Sequence, residues 1–269
     1  MTTPRTRPTV PPEAPAAVVA ALRAAGCVFA EEEAALLARA AGGAPERLAA
    51  LVARRVAGEP LEHVVGWAEF RGLRIRVAPG VFVPRRRTEF LVERALALAP
   101  RARTVVDLCC GSGALGAALA RALPGAELHA ADIDPAAVEC AARNLGPYGG
   151  RVHHGDLFAA LPAALRGRVE ILAANVPYVP TADIRLLPAE AREHEPPTAL
   201  DGGPDGLAVL RRVAEDAPGW LAPGGCLLAE TSGRQAPAAE RAFAGAGLVA
   251  EVAVCEESDA HVITGVLRP

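Results

Sequence analysis

The decapeptide Asp107-Leu108-Cys109-Cys110-Gly111-Ser112-Gly113-Ala114-Leu115-Gly116 places glycine at the three positions of a G-x-G-x-x-G turn, between an apolar run and a helix-forming one. Without β-carbons, Gly111 and Gly113 let the backbone turn tightly and approach a ligand. Asp132 lies 21 positions beyond Gly111, at the end of the next apolar run, where a carboxylate can accept both hydroxyls of a ribose. Together these features predict a nucleoside-type cofactor. The turn by itself does not choose between a dinucleotide and S-adenosylmethionine; Asp107 does. A carboxylate just ahead of the loop is a poor neighbour for a pyrophosphate, whereas S-adenosylmethionine presents an ammonium and a sulfonium. After the third strand come Asp156 and Leu157, a carboxylate for the adenine amino group and an apolar side chain for its ring. Asp156 also reads as a helix N-cap ahead of Leu157-Phe158.

Asn175-Val176-Pro177-Tyr178, at the end of the fourth strand, points to the acceptor. The nitrogen of an amide or aromatic amine is a weak nucleophile because its lone pair is delocalised. A site that uses one has to hold it in line with the carbon it attacks, and two acceptors on its hydrogens do this. The Asn175 side-chain oxygen and the Val176 carbonyl supply them, while Tyr178 packs on the planar group; an ordinary post-strand turn is the bland alternative. His153-His154, with no nearby carboxylate or cysteine at ligand spacing, reads as structural. Cys109-Cys110 reads as small packing residues, since no histidine is in register. No metal is expected.

These residues need a scaffold, and the apolar periodicity describes one. Residues 1–14 are Pro- and Thr-rich and read as a mobile tail. Residues 15–63 carry helical spacing in three blocks, 16–25, 31–41 and 45–56, with Glu31, Glu32 and Glu33 favourably placed for the macrodipole. Residues 64–84 shift toward alternation, with Leu73, Ile75 and Val77 separated by Arg74 and Arg76, as in a linking β-hairpin. From residue 85 to 269 helix-like and strand-like stretches alternate: helices at 88–99, 114–122, 135–144, 206–217 and 236–245, and strands at 104–108, 127–131, near 152, 169–174, 226–230, 248–254 and 262–267. Strands alternating with helices imply an α/β fold with a mostly parallel, doubly wound sheet, and such sheets bind ligands at the carboxyl ends of their strands.

Composition removes several classes. The 269 residues are 51% hydrophobic and 22% charged, which is globular rather than disordered. A formal net charge of −3 gives no support to a sequence-independent grip on nucleic acid. No run of about 18 uncharged apolar residues exists, so no membrane span is expected. The start, broken by Arg23, does not read as a secretory signal. The six cysteines lack C-x-x-C spacing and fall within apolar segments, pointing to a reducing, cytoplasmic setting.

Motif by motif the chain resembles the HemK/PrmC class of protein-(glutamine-N5) methyltransferases, in which an N-P-P-Y loop binds the glutamine side chain. Glu59-Pro60-Leu61-Glu62-His63 with Gly66, Glu69 and Phe70 is similar to the linker hairpin of that class, and Gly80-Val81-Phe82-Val83-Pro84-Arg85 with Thr88-Glu89 to its P-R-x-x-T-E entry. Glu195-Pro196, Leu200-Asp201-Gly202-Gly203, Asp205-Gly206-Leu207 and Leu221-Ala222-Pro223-Gly224-Gly225 continue the match in order. The resemblance implies a Rossmann-like class I methyltransferase sheet, its last strand antiparallel, behind a small N-terminal helical substrate-recognition domain. It implies S-adenosyl-L-methionine as cofactor and S-adenosyl-L-homocysteine as product. The acceptor it implies is a protein with an exposed glutamine, such as a release factor or ribosomal protein. Cofactor contacts are expected from Cys109, Cys110, Gly111, Ser112, Gly113, Asp132, Leu157 and Asn175, joined by Asp107, Ile133 and Asp156. Substrate contacts are expected from Asn175 through Tyr178, with Phe82 walling the substrate side.

Two departures suggest a paralogue. Val176 stands where the family loop has its first proline, and Arg87 replaces the acidic residue usual in P-R-x-x-T-E. The resulting run Arg85-Arg86-Arg87 reads as a solvated face or a cleft rim that selects an acidic partner. The competing readings are an adenine-N6 or other small-molecule amino or amide methyltransferase using the same loop, a nicotinamide-dependent oxidoreductase, and a binding module without turnover.

Overall fold

The computed structural model describes residues 15–268, so the expected mobile tail lies outside the described residues. Two compact units divide at Val65/Gly66.

The first unit consists of α1 (Ala16–Ala24), α2 (Ala30–Ala41), α3 (Pro45–Val56) and α4 (Leu61–Val65). Pro45 opens α3 at a first-turn position, where its missing N–H costs nothing. Gly42, at φ 63°, closes α2 in the left-handed conformation. Leu22, Ala34, Leu37, Leu51 and Val64 form its core. Because Val64 belongs to that core, the unit runs two residues past the expected end at residue 63. Arg55 Nε bonds Glu33 Oε2 at 2.6 Å.

The second unit starts with a hairpin, β1 (Trp67–Phe70) and β2 (Leu73–Arg76), followed by α5 (Glu89–Leu98), β3 (Thr104–Leu108), α6 (Ala114–Ala122), β4 (Glu127–Asp132), α7 (Pro135–Leu145), β5 (Arg151–His154) and β6 (Val169–Ala174). After β6 come α8 (Ala189–His194), α9 (Pro197–Leu200), α10 (Ala208–Asp216), β7 (Leu221–Thr231), α11 (Ala236–Gly245), β8 (Leu248–Cys255) and β9 (Ala260–Leu267). Seven strands form one sheet in the order β5-β4-β3-β6-β7-β9-β8. The pairings β3–β4, β3–β6, β4–β5 and β6–β7 are parallel, and β9 runs antiparallel to both of its neighbours. The expected mostly parallel sheet with an antiparallel last strand is therefore the observed one.

Both faces are covered, and alternation along the strands divides the core. Val106, Leu108, Leu172, Ala174, Leu227 and Ala229 pack toward α10 and α11. Val105, Ile171, Ala173, Cys226 and Leu228 pack toward α5, α6 and α7. Phe70 and Ile75 of the hairpin join this second layer, so the hairpin is part of the sheet unit. β7 is longer than the expected 226–230 because it runs through Ala222-Pro223-Gly224-Gly225, where the β6–β7 register shifts. A β-carbon on Gly225 would lie 2.5 Å from the Val169 carbonyl oxygen, which confines that position to glycine. Among the described residues no helix is long and apolar enough to cross a membrane.

Candidate active site

Parallel pairing brings the carboxyl ends of β3, β4, β5 and β6 side by side, and the loops after them carry the residues singled out above. Cys109, Gly111 and Gly113 have φ of 53°, 52° and 77°, so the turn after β3 contains three left-handed residues within five. The glycines have separate tasks. A β-carbon on Gly113 would meet Leu145 and Ala141 of α7 at 3.1–3.2 Å, and one on Gly116 would meet Asp107 Oδ2 at 3.1 Å. These two permit close packing of α6. Gly111 is the least crowded of the three: its β-carbon would meet only Phe82 Cβ, at an ordinary contact distance of 4.0 Å. Of the three, Gly111 is the one that can admit a ligand, and Phe82 stands over it.

Cys109 is a side chain at a left-handed φ, which costs about 1–3 kcal/mol and persists where the surroundings over-determine it. Leu157, after β5, does the same at φ 46°. Both strained residues lie in the loops after β3 and β5, a feature that sequence spacing did not reveal. Burial, then the charges of Asp132, Asp107 and Asp156, push the Cys109 thiol well up; burial and Asp107 do the same to Cys110. Neither is a nucleophile at neutral pH.

The acids differ in their surroundings. Asp107 is 0% exposed, its Oδ2 accepts from the Gly116 N–H at 2.8 Å, and its Oδ1 is buried with no partner among the described residues. Burial pushes its pKa up to about 8, opposed by the Gly116 bond and reinforced by the Asp132 charge. Asp132 receives the Gly111 N–H at 2.8 Å on Oδ2 and the Asp134 N–H at 3.0 Å on Oδ1, so both oxygens are aimed by backbone. Burial raises its pKa as well. Next to it Ile133 is 54% exposed, while Leu157 is buried: two apolar side chains at adjacent strand ends. Asp156 makes no side-chain cap; its Oδ2 instead pairs with Arg212 Nη2 at 2.6 Å, which replaces the N-cap reading with an ion pair from α10. Ser112 is buried, and its carbonyl accepts from Asn144 Nδ2 at 2.8 Å.

The loop after β6 is held from several sides. Asn175 Oδ1 is buried without a partner among the described residues. Val176 is 1% exposed and packs into the α10–α11 layer. The Tyr178 carbonyl accepts from Gln235 Nε2 at 2.8 Å, and a β-carbon on Gly206 would lie 2.3 Å from both groups. The Tyr178 hydroxyl donates to Glu230 Oε1 at 2.9 Å and is also met by Arg87 Nη2. Glu230 receives Arg87 Nε at 2.7 Å and Thr88 Oγ1 at 2.5 Å. Gln235, Glu230 and Thr88 were absent from the expected site; Thr88 stands in the P-R-x-x-T-E entry, but its partner Glu230 is far away in sequence, and no local spacing marks Glu230 or Gln235.

The basic run is exposed at Arg86 and Arg87, and two of its three guanidiniums also pair with carboxylates beneath it. Arg85 Nη2 lies 2.6 Å from both oxygens of the nearly buried Glu195, which also takes the Val83 N–H at 3.2 Å, and the Arg85 guanidinium sits 4.8 Å from the Phe82 ring centroid. Arg87 turns to Glu230 and Tyr178. Two of the three guanidiniums thus serve buried carboxylates, because a buried carboxylate is costly without a counter-charge. His153 is also less isolated than its spacing suggests: its Nε2 is 2.9 Å from Nδ1 of His129, whose Nε2 is 3.2 Å from Glu127 Oε1. Strand pairing creates that contact, away from the loops just described.

A 3-2-1-4-5-7-6 arrangement of strands, with a glycine turn after the first of them and an acid at the end of its neighbour, defines the class I methyltransferase fold. Comparison with known proteins agrees. The family model for the Methyltransferase small domain matches residues 72–185. A ribosomal protein L11 methylase from Lactobacillus delbrueckii subsp. bulgaricus shares the fold at TM-score 0.53 and 17% identity, over 72% of this chain and 86% of that one. A release factor glutamine methyltransferase of Geobacter sulfurreducens is 45% identical over 191 residues, 69% of this chain and 66% of that protein. A protein of the same name from Streptomyces coelicolor is 41% identical over 195 residues, 70% of this chain and 69% of that one. The chain belongs to the HemK/PrmC family of protein-(glutamine-N5) methyltransferases, enzymes that draw their methyl group from S-adenosylmethionine.

Proposed function

We propose that this chain methylates the side-chain amide nitrogen of a glutamine presented by a protein of the translation apparatus, such as a release factor or a ribosomal protein, in the cytoplasm. The observation that carries this reading is Asn175 Oδ1, a buried acceptor with no donor among the described residues, at the end of β6 beside a tyrosine fixed through its hydroxyl and its carbonyl. An unpaired buried acceptor costs about 1–3 kcal/mol, and an amide N–H from a substrate would remove that cost.

The residues present fit S-adenosylmethionine. Asp107 offers a buried, unpaired oxygen suited to an ammonium, Asp132 a carboxylate with backbone-fixed orientation suited to a ribose diol, and Ile133 and Leu157 apolar cover for an adenine. Gly111, the least crowded of the three glycines, and the Cys109–Gly113 turn would border the methionine portion. When bound, S-adenosylmethionine supplies an electrophilic methyl carbon on a sulfonium. The chain's own work is to take one amide hydrogen on Asn175 Oδ1 and the other on the Val176 carbonyl, with Tyr178 against the amide plane, so that the nitrogen is presented in one orientation. Proximity and orientation, with no covalent enzyme intermediate, carry the rate. The first unit, with its own core, would recognise the protein substrate.

Mass spectrometry of candidate glutamine-containing proteins, after incubation with enzyme and S-adenosylmethionine, tests the reading. A gain of one methyl group on a glutamine, abolished by Asn175→Ala while cofactor affinity stays largely intact, supports it. Turnover surviving within a few-fold in Asn175→Ala removes Asn175 from its role. Methylation confined to adenine or to a small-molecule amine moves the acceptor to the alternative class.

A further inference from the structure

Arg87, one of the two departures from the family motifs, binds Tyr178 in the loop that carries the other, Val176. Proline fixes φ and stiffens the residues around it; valine at position 176 does neither. Burial of Val176 and the Gln235 bond to the Tyr178 carbonyl hold part of the loop, and the hydroxyl of Tyr178 is anchored as well. That hydroxyl donates to Glu230 Oε1 at 2.9 Å and accepts from Arg87 Nη2, so both of its hydrogen-bonding roles are filled. The Arg87 guanidinium carbon also lies 5.8 Å from the Tyr178 ring centroid. Glu230 in turn is held by Arg87 Nε at 2.7 Å and Thr88 Oγ1 at 2.5 Å, and its side chain is only 3% exposed. The planar fork of arginine spans carboxylate and phenol at once, which a lysine point charge does not do. An acidic residue at position 87 would instead face the buried Glu230 carboxylate and leave Tyr178 held at one side only.

We propose that Arg87 is a positioning residue: clamped on Glu230, it pins the Tyr178 hydroxyl and so supplies to the Asn175–Tyr178 loop the stiffness that a proline at position 176 would otherwise give. Arg87 acts through Tyr178 and touches no reacting atom. Its consequence for turnover rests on the reading of that loop as the acceptor-holding element. The stiffening itself does not rest on it, and the two are measured separately.

Hydrogen–deuterium exchange read by mass spectrometry, on the full chain without any acceptor, follows the peptide covering residues 175–181 in four proteins: wild type, Arg87→Gln, Val176→Pro and the double variant. Arg87→Gln is expected to speed exchange in that peptide by about 10-fold or more relative to the sheet strands, and adding Val176→Pro to bring it back to within about 3-fold of wild type. A second signature comes from tyrosine. The chain has two, so in a Tyr148→Phe background the ring resonances of 13C-labelled Tyr178 are alone in the spectrum; Arg87→Gln should shift and broaden them. If Arg87→Gln does not fold, Arg87→Lys is read in its place, with and without Val176→Pro, since lysine keeps the charge and gives up the fork. Exchange that stays unchanged at 175–181, that rises equally throughout the protein, or that Val176→Pro fails to restore overturns the proposal. A positive exchange result alongside an inactive screen would leave the clamp standing and reject the acceptor reading.

Discussion

Replacing Asp107 with asparagine isolates the charge of the most deeply buried acid at the site. Its pKa is raised from 3.8 to about 8, mainly by burial. Between those two values the unfolded chain has lost the proton while the folded chain keeps it, so the native state binds more protons and stability must fall as pH rises. The limiting slope is about 1.4 kcal/mol per pH unit, and over roughly four units the penalty has a ceiling of about 6 kcal/mol, reached near pH 8. Water entry or local relaxation reduces that ceiling. Asparagine has the shape of the neutral acid, can accept the same Gly116 N–H, and does not titrate. Urea unfolding of both proteins at pH 5, 6, 7 and 8, without ligand, should therefore show Asp107→Asn more stable, by a gap that widens with pH. The same reasoning applies to binding: an Asp107 kept protonated by burial would be ionised by an ammonium drawn to Oδ1, so wild type should release more protons per S-adenosylmethionine bound than the variant does. Calorimetry in buffers of different ionisation enthalpy counts those protons. Parallel stability profiles, or equal proton release, would refute the picture of a neutral, unpaired Asp107 waiting for a cation.

Asp132→Ala removes the carboxylate aimed by Gly111 and Asp134. With two charge-assisted hydrogen bonds lost, the affinity for S-adenosylmethionine and S-adenosylhomocysteine should drop about 100-fold in calorimetry, with NAD as control; preference for NAD in wild type would send the search to redox substrates. Gly206→Ala would drive a methyl group to 2.3 Å from the Tyr178 carbonyl and Gln235, at a backbone φ of 77°. It should destabilise the fold by about 2 kcal/mol or more and reduce turnover through the Asn175–Tyr178 loop, checked by denaturant titration and by kcat.

Much of the architecture is legible in the sequence because buried parallel strands read as short apolar runs and their crossover helices as longer periodic ones. Thr104–Leu108 and Val169–Ala174 lie where the apolar runs put them. The start of β7 is hidden, since Pro223-Gly224-Gly225 has the composition of a turn and is in fact a register shift inside a strand. The glycine turn is recognisable, but the division of labour among Gly111, Gly113 and Gly116 depends on where α7 packs. Residues that carry a recognisable motif, Asp107, Asp132 and Asn175, could be proposed from spacing. Those that hold the motif in place could not: Glu230 lies 143 positions from Arg87 and Gln235 57 from Tyr178. Arg87 shows the limit best: its side chain stays 46% exposed, as its charge suggested, and only the position of Glu230 reveals the buried carboxylate it binds.

The register shift in β7 sets a phase for everything downstream of it. From Cys226 onward the even positions look toward α5 and the odd ones toward α10, so Glu230 reaches Thr88 and Arg87 by parity alone. Gly225, pressed against the Val169 carbonyl, leaves the turn little slack to absorb a change in length. Adding or deleting one residue in Ala222–Gly225 would thus exchange the two sides of the strand, carrying the carboxylate into an aliphatic layer and Leu227 and Ala229 out of it. The number of residues in a featureless Pro-Gly-Gly segment, and not only their kind, sets which side of the sheet receives Glu230 and its partners Arg87 and Tyr178.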